Sequence, residues 1–126
     1  MKPKPILSLD FDGVLHSYAS GWKGARRIPD PPTDGAVEFL LKALDHFTVA
    51  VFSSRSRYFG GRRAMKAWLA RALEDWQWSQ TGRVEQAFRY YGGGFTGMDL
   101  EEDYRRWAWS VIRQISFPLW NVAADR

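Results

Sequence analysis

The stretch Ile6-Leu7-Ser8-Leu9-Asp10-Phe11-Asp12-Gly13-Val14-Leu15-His16 constrains this chain more than any other. An apolar run that leaves a Lys- and Pro-bearing start and stops at two aspartates reads as a buried strand carrying carboxylates to its C-terminal tip. That tip is where open α/β sheets place their chemistry. Asp10 and Asp12 stand one residue apart, and Gly13 permits a sharp turn behind them, so both carboxyl groups can approach one ligand. Two carboxylates so close repel each other unless a proton or a cation intervenes. Mg2+ suits the place, because it takes oxygen ligands and keeps waters that a phosphate can replace. The bland alternative is that these residues merely end a strand and open a turn, where Asp and Gly are common.

The 126 residues, 45% hydrophobic and 16% aromatic, suit one domain with a real core, although they are few for a complete doubly wound sheet. Without cysteine there is neither a disulfide framework nor a thiolate metal site. The basic start, Met1 to Pro5, is followed by too few apolar residues for a signal peptide, and nothing approaches a membrane span. The expectation is a cytoplasmic protein with no membrane partner.

In chain order, Pro5 to Asp10 is the first strand. Residues 17–32 carry Gly, Ser and Pro without a helical period and read as an ordered loop. Thr33 or Asp34 is placed to cap a helix whose apolar face is Val37, Leu40, Leu41, Leu44 and Phe47. Thr48 to Phe52 is the second buried strand, and the helix between them is its right-handed crossover. A further amphipathic helix follows from Arg62, marked by Met65, Trp68, Leu69, Ala72 and Trp76. The pattern degrades over 77–98, which reads as an insertion, and its Tyr90, Tyr91 and Phe95 suit a glycine-rich turn better than a base-stacking platform. A helix beginning at Asp99 then keeps an apolar stripe to Ile115, and a short third strand is expected from Ser116 to Trp120.

Asp10-Phe11-Asp12-Gly13-Val14-Leu15, followed one crossover later by a strand ending at Ser53, resembles the first two motifs of the haloacid dehalogenase (HAD) superfamily. The resemblance implies a three-layer, Rossmann-like parallel sheet in a single domain over 1–126, with 17–32 as a flap and no separate cap. It implies an Mg2+-dependent phosphomonoester hydrolase. Asp10 would be the nucleophile that becomes an aspartyl phosphate, Asp12 the general acid/base, and Ser53 a donor to the phosphoryl group. Asp10 would bind the metal through its carboxylate and Asp12 through its main-chain carbonyl. The strand of Asp10 would be central. Expected substrate contacts are Gly13, Ser54, Arg55, Arg57, Trp22 and Lys23, with Arg26, Arg27, Arg62 and Arg63 close by in the sequence.

The C-terminal part departs from that pattern. Where the family lysine is expected the chain has Asn121, and no later strand supplies the final acidic pair. Lys66 is the other candidate for the missing cation. The fold is therefore expected to be incomplete at the C-terminus, with a sheet edge open to a second copy. Three functions remain open: a small capless phosphatase acting on a small phosphorylated substrate, a phosphate- or nucleotide-binding module without turnover, and, less favoured, a nucleic-acid-associated protein. The net charge of +4, owed mainly to arginine, fits all three.

Overall fold

Alternation along the strands decides how this sheet packs. In the computed structural model, which describes residues 2–91 and 97–119 and the side chains of 2–81 and 100–119, strand β1 spans Ile6–Asp10. Its Leu7 and Leu9 turn inward, whereas Ile6, Ser8 and Asp10 are exposed. Strand β2, Thr48–Phe52, lies parallel to β1 with Leu7 beside Val49 and Leu9 beside Val51. The two-residue strand β3, Ile115–Ser116, pairs with the other side of β2. The order is β1-β2-β3, all parallel.

Helix α1, Ala36–His46, buries Ala36, Val37, Leu40, Ala43 and Leu44, one stripe at helical spacing. It starts later than the cap expected at Thr33 or Asp34. Gly35, in the left-handed region at φ 77°, occupies the cap position, and the Ala36 N–H bonds the Thr33 carbonyl in the preceding turn. At the other end, Lys4 Nζ donates to the Leu44 carbonyl at 2.8 Å, a cation satisfying a last-turn acceptor.

After β2 the chain makes a 3-10 turn, Ser54–Arg57, and enters helix α2, Gly61–Tyr91. Helix α3, Gly97–Ile112, returns beside it. The pairing is aromatic: Trp76 stacks on Trp107 at 6.0 Å, Trp78 meets Tyr104 edge-on at 4.9 Å, and Thr81 shares a hydrogen bond with Tyr104. Residues 77–91 therefore continue α2 instead of forming an insertion. Ile115, expected on the last helix, opens β3 instead. Residues 92–96, and with them Phe95, lie outside the described residues, as do the side chains of Tyr90 and Tyr91.

The buried residues of all three helices join Leu9, Val49, Val51 and Ile115 in one core, and α1 touches α2. Right-handed crossovers through a sequential strand order put successive helices on the same face. The described residues thus form two layers, not the three expected. The opposite face of the sheet carries Ile6, 72% exposed, and Phe52, 44% exposed. Strand β1 is also not central: β2 takes that place, and among the described residues no strand pairs with the outer side of β1. No described helix is long and apolar enough to cross a membrane.

The turn into α2 is closed by contact with backbone. A Cβ added at Gly61 would collide with the Arg55 carbonyl, which a flexible neighbour cannot relieve. Gly61→Ala is expected to lower stability by about 1–3 kcal/mol, the usual range for overpacking, as read from urea unfolding.

Candidate functional site

Asp10 ends β1 beside Phe52, which ends β2, so Ser53 comes one step beyond the neighbouring strand tip. The Asp10 side chain is exposed, and its Oδ1 accepts the Phe11 N–H at 2.9 Å. Ser53 is buried, and its Oγ accepts the Arg55 N–H at 3.1 Å, capping the 3-10 turn. Because a hydroxyl can donate while it accepts, that cap leaves the Ser53 proton for another acceptor. Asp10, Ser53 and Ser54 line one open cleft of about 400 Å3, with Ser8, Leu9 and Phe52 as its other walls. The two strand tips thus meet as the motif spacing predicts.

Asp12 has a different environment. Gly13, at φ 83°, turns the chain back so that its N–H reaches the His16 carbonyl at 2.7 Å, while the His16 N–H reaches the Phe11 carbonyl at 3.0 Å. This loop brings His16 Nδ1 to 2.8 Å from Asp12 Oδ1. Arg55 grips the same carboxylate with two prongs, Nε to Oδ2 at 2.8 Å and Nη2 to Oδ1 at 3.0 Å. Both oxygens of Asp12 are therefore committed.

Arg55 is fully buried, which requires its charge to be paired and its donors used. Its Nη1 donates to the carbonyls of Gly24, Ala25 and Arg27 at 2.9, 3.1 and 3.2 Å. The Trp22 ring covers the guanidinium at 4.9 Å. Arg55, expected to contact substrate, is instead the internal tie between Asp12 and the 17–32 loop, since its donors already have acceptors inside the protein. Trp22 likewise serves as a lid over Arg55, and it also approaches the Tyr58 ring at 5.9 Å.

His16 and Asp30 hold the loop's other end, and neither was among the expected site residues. His16 is buried against Phe11 and Trp68, with ring separations of 5.8 and 5.5 Å. Its Nε2 lies 3.1 Å from the Asp30 N–H and 3.5 Å from Asp30 Oδ2. The shorter contact has a fixed donor, so Nε2 accepts and Nδ1–H is left to donate to Asp12. Asp30 accepts from the Ser20 hydroxyl at 2.5 Å and the Ser20 N–H at 2.8 Å, and Trp68 Nε1–H donates to its carbonyl at 3.0 Å. The Ser20 hydroxyl, and then the Ser20 N–H, hold the Asp30 carboxyl below its ordinary 3.8. The i,i+4 spacing of Asp12 and His16 and the placement of Asp30 between Pro29 and Pro31 were the available sequence signals.

The remaining candidates separate. Lys23 lines a cleft on the outer side of the loop, with Arg26 and Arg27. Lys66 lines a third cleft beyond the 3-10 turn with Arg62 and Arg63, and its Nζ sits 5.6 Å from the Phe117 ring centroid. Lys66 and Asp10 thus line different clefts. Arg57 is exposed on the 3-10 turn, and Asn121 lies outside the described residues.

The implied Mg2+ can be tested against the donors present. Among the described residues no three His, Cys, Asp or Glu side chains gather at one point. What the site offers is the Asp10 carboxylate and the Asp12 main-chain carbonyl, which accepts no backbone hydrogen bond among the described residues. That pair fits a hydrated Mg2+ completing its shell with water and a substrate phosphate, the way this ion is commonly held. The Asp12 carboxylate is not available to it. No family model, no curated protein and no solved structure matches this chain.

Two outcomes follow from this network. Arg55→Met leaves the Asp12 carboxylate and three loop carbonyls without their donor, and should cost about 3 kcal/mol or more. In a double-mutant cycle with Asp12→Asn, thermal unfolding should show the two losses to be strongly non-additive, and limited proteolysis should cut within 17–32. For Asp30, a carboxyl depressed in the folded state stabilises fully above its unfolded value and loses that contribution as pH falls through the lower folded value. Ser20→Ala should therefore lower the unfolding midpoint at pH 7 and shrink the parent's further loss between pH 4 and pH 2.

Proposed function

We propose that this chain hydrolyses phosphomonoesters at Asp10, as a HAD-like phosphatase would. The observation that carries this is an exposed Asp10 carboxylate at the tip of β1, in one open cleft that Ser53 and Ser54 also line from the adjacent parallel strand. An Asp10 oxygen attacks phosphorus and the P–O bond to the alcohol breaks, the leaving oxygen taking a proton from water; a second water then attacks phosphorus, breaking the bond to Asp10 and releasing phosphate and the free carboxylate. The Ser53 O–H and the amides of the following turn supply donors to the equatorial oxygens. Mg2+, when bound, shields the negative charge shared by the carboxylate and the phosphoryl group.

Asp12 raises a second reading. General acid/base work asks a carboxyl group to exchange a proton with the leaving oxygen and with water. Here both Asp12 oxygens are bound to Arg55 and His16, so either that grip opens during turnover or Asp12 only positions the loop. The latter favours a phosphate-binding module with little turnover.

Phosphate release from p-nitrophenyl phosphate, with and without Mg2+, tests the proposal. The expected result is Mg2+-dependent release that Asp10→Asn abolishes and Ser53→Ala lowers by about a hundredfold. Release unchanged in Asp10→Asn would sink the phosphatase reading. Calorimetric binding of inorganic phosphate that is lost in Ser53→Ala, with no release from the ester, would favour the binding module.

A further inference from the structure

The most solvated aromatic side chain among the described residues belongs to neither strand tip. Phe59 is 95% exposed, and its neighbour Tyr58 is 53% exposed, where the chain leaves the 3-10 turn for α2. Phenylalanine with nearly all of its surface in water gains nothing for folding. The pair forms a ridge between two clefts, because Tyr58 and Phe59 line both.

On one side lies a cleft of about 470 Å3 whose charged walls are Lys23, Arg26 and Arg27. On the other lies a cleft of about 620 Å3 with Arg62, Arg63 and Lys66. Among the described residues, no carboxylate lines either cleft. Among the described residues, none of these six cations forms an ion pair with an Asp or Glu. The ridge is braced, since the Arg26 side chain lies across Gly60 where a Cβ would otherwise stand. Trp22 approaches Tyr58 at 5.9 Å and is itself 46% exposed, which extends the aromatic surface toward the loop.

Flat π-faces flanked by cations that have no carboxylate ion pair among the described residues, though Arg62 also reaches the Phe117 carbonyl and Lys66 the Phe117 ring, are complementary to one polymer chemistry, unstacked bases on a phosphate backbone. A duplex offers the phosphates but hides its base faces, and an acidic protein segment offers charge without rings to stack. We propose that the Tyr58-Phe59 ridge and its two basic clefts bind single-stranded nucleic acid, with bases stacked on the ridge and the backbone passing from one cleft to the other. This surface is separate from the Asp10 cleft and does not depend on chemistry there.

Fluorescence anisotropy with 5′-fluorescein-labelled 12-nucleotide uridine and deoxythymidine oligomers tests it, with a duplex of equal length and heparin as competitors. Binding should be salt-dependent, with log K falling against log[salt] at a slope of about −3 to −4 for four to six phosphate contacts. Phe59→Ala, at a position too exposed to burden folding, should weaken binding about tenfold, the effect of one lost stacking partner. Arg63→Ala should make the slope shallower by about 0.7. Asp10→Asn should bind as the parent does, which separates this inference from the phosphatase reading, and the two oligomers compared tell ribose from deoxyribose preference. No binding at 50 mM salt, equal affinity for the duplex, or full affinity in Phe59→Ala would each overturn the proposal, the last leaving only a general polyanion surface that heparin fills equally well.

Discussion

The part-buried pair between Asp12 and the fully buried Arg55 is the interaction on which the rest of the structure depends. It joins the loop after β1 to the turn after β2 across 43 residues of sequence, and through the Nη1 bonds it adds the 17–32 loop to the same knot. Burying a guanidinium carries a desolvation cost of several kcal/mol, which is offset only when geometry is good and the donors find acceptors. Both conditions are met here, by a two-pronged grip on Asp12 and three carbonyls around Nη1. A lysine could not replace it, since one ammonium cannot fork a carboxylate while reaching three carbonyls on its other side. The loop also has a second anchor in His16, Asp30 and Trp68, so it is clamped at both ends and behaves as part of the fold.

The two aspartates that begin as an equivalent pair in the sequence end with unlike tasks. Asp10 faces solvent and bonds only its neighbour's amide, which leaves an oxygen free for chemistry. Asp12 is consumed by Arg55 and His16. Their repulsion is thereby relieved by a protein cation, where the sequence alone suggested a metal.

How far the sequence could be read depended on whether the deciding interaction was local. The β2 strand matched its expected bounds, and β1 differed by one residue, because a β-branched or apolar run ending at a polar residue is a local signal. Placing Ser53 next to Asp10 followed from one crossover between two parallel strands. The role of Arg55 was not legible, because five arginine-bearing positions between 55 and 71 look alike until tertiary contact selects one for burial. Helix α2 runs on through residues whose sequence shows little apolar period, and the cap of α1 differs because Gly35 in a left-handed turn displaces the polar residues before it.

The layer count bears on how the Asp10 cleft is reached. Ile6, Ser8 and Asp10 point to the side of the sheet that no described helix covers, and Phe52 stands beside them from β2. Among the described residues, the candidate nucleophile therefore opens to the side of the sheet as well as past the strand tips, although Ala50 beside Ser8 is buried. The exposed outer edge of β1 could recruit other strands, but it is only five residues long, and Lys2, Pro3, Lys4 and Pro5 lead into it. Proline lacks the N–H a new strand would need, and lysine brings charge to the edge, two devices that discourage such pairing. Among the described residues, Ile6 and Phe52 are the exposed apolar side chains beside Asp10 on this face, while the 17–32 loop is tied to Arg55.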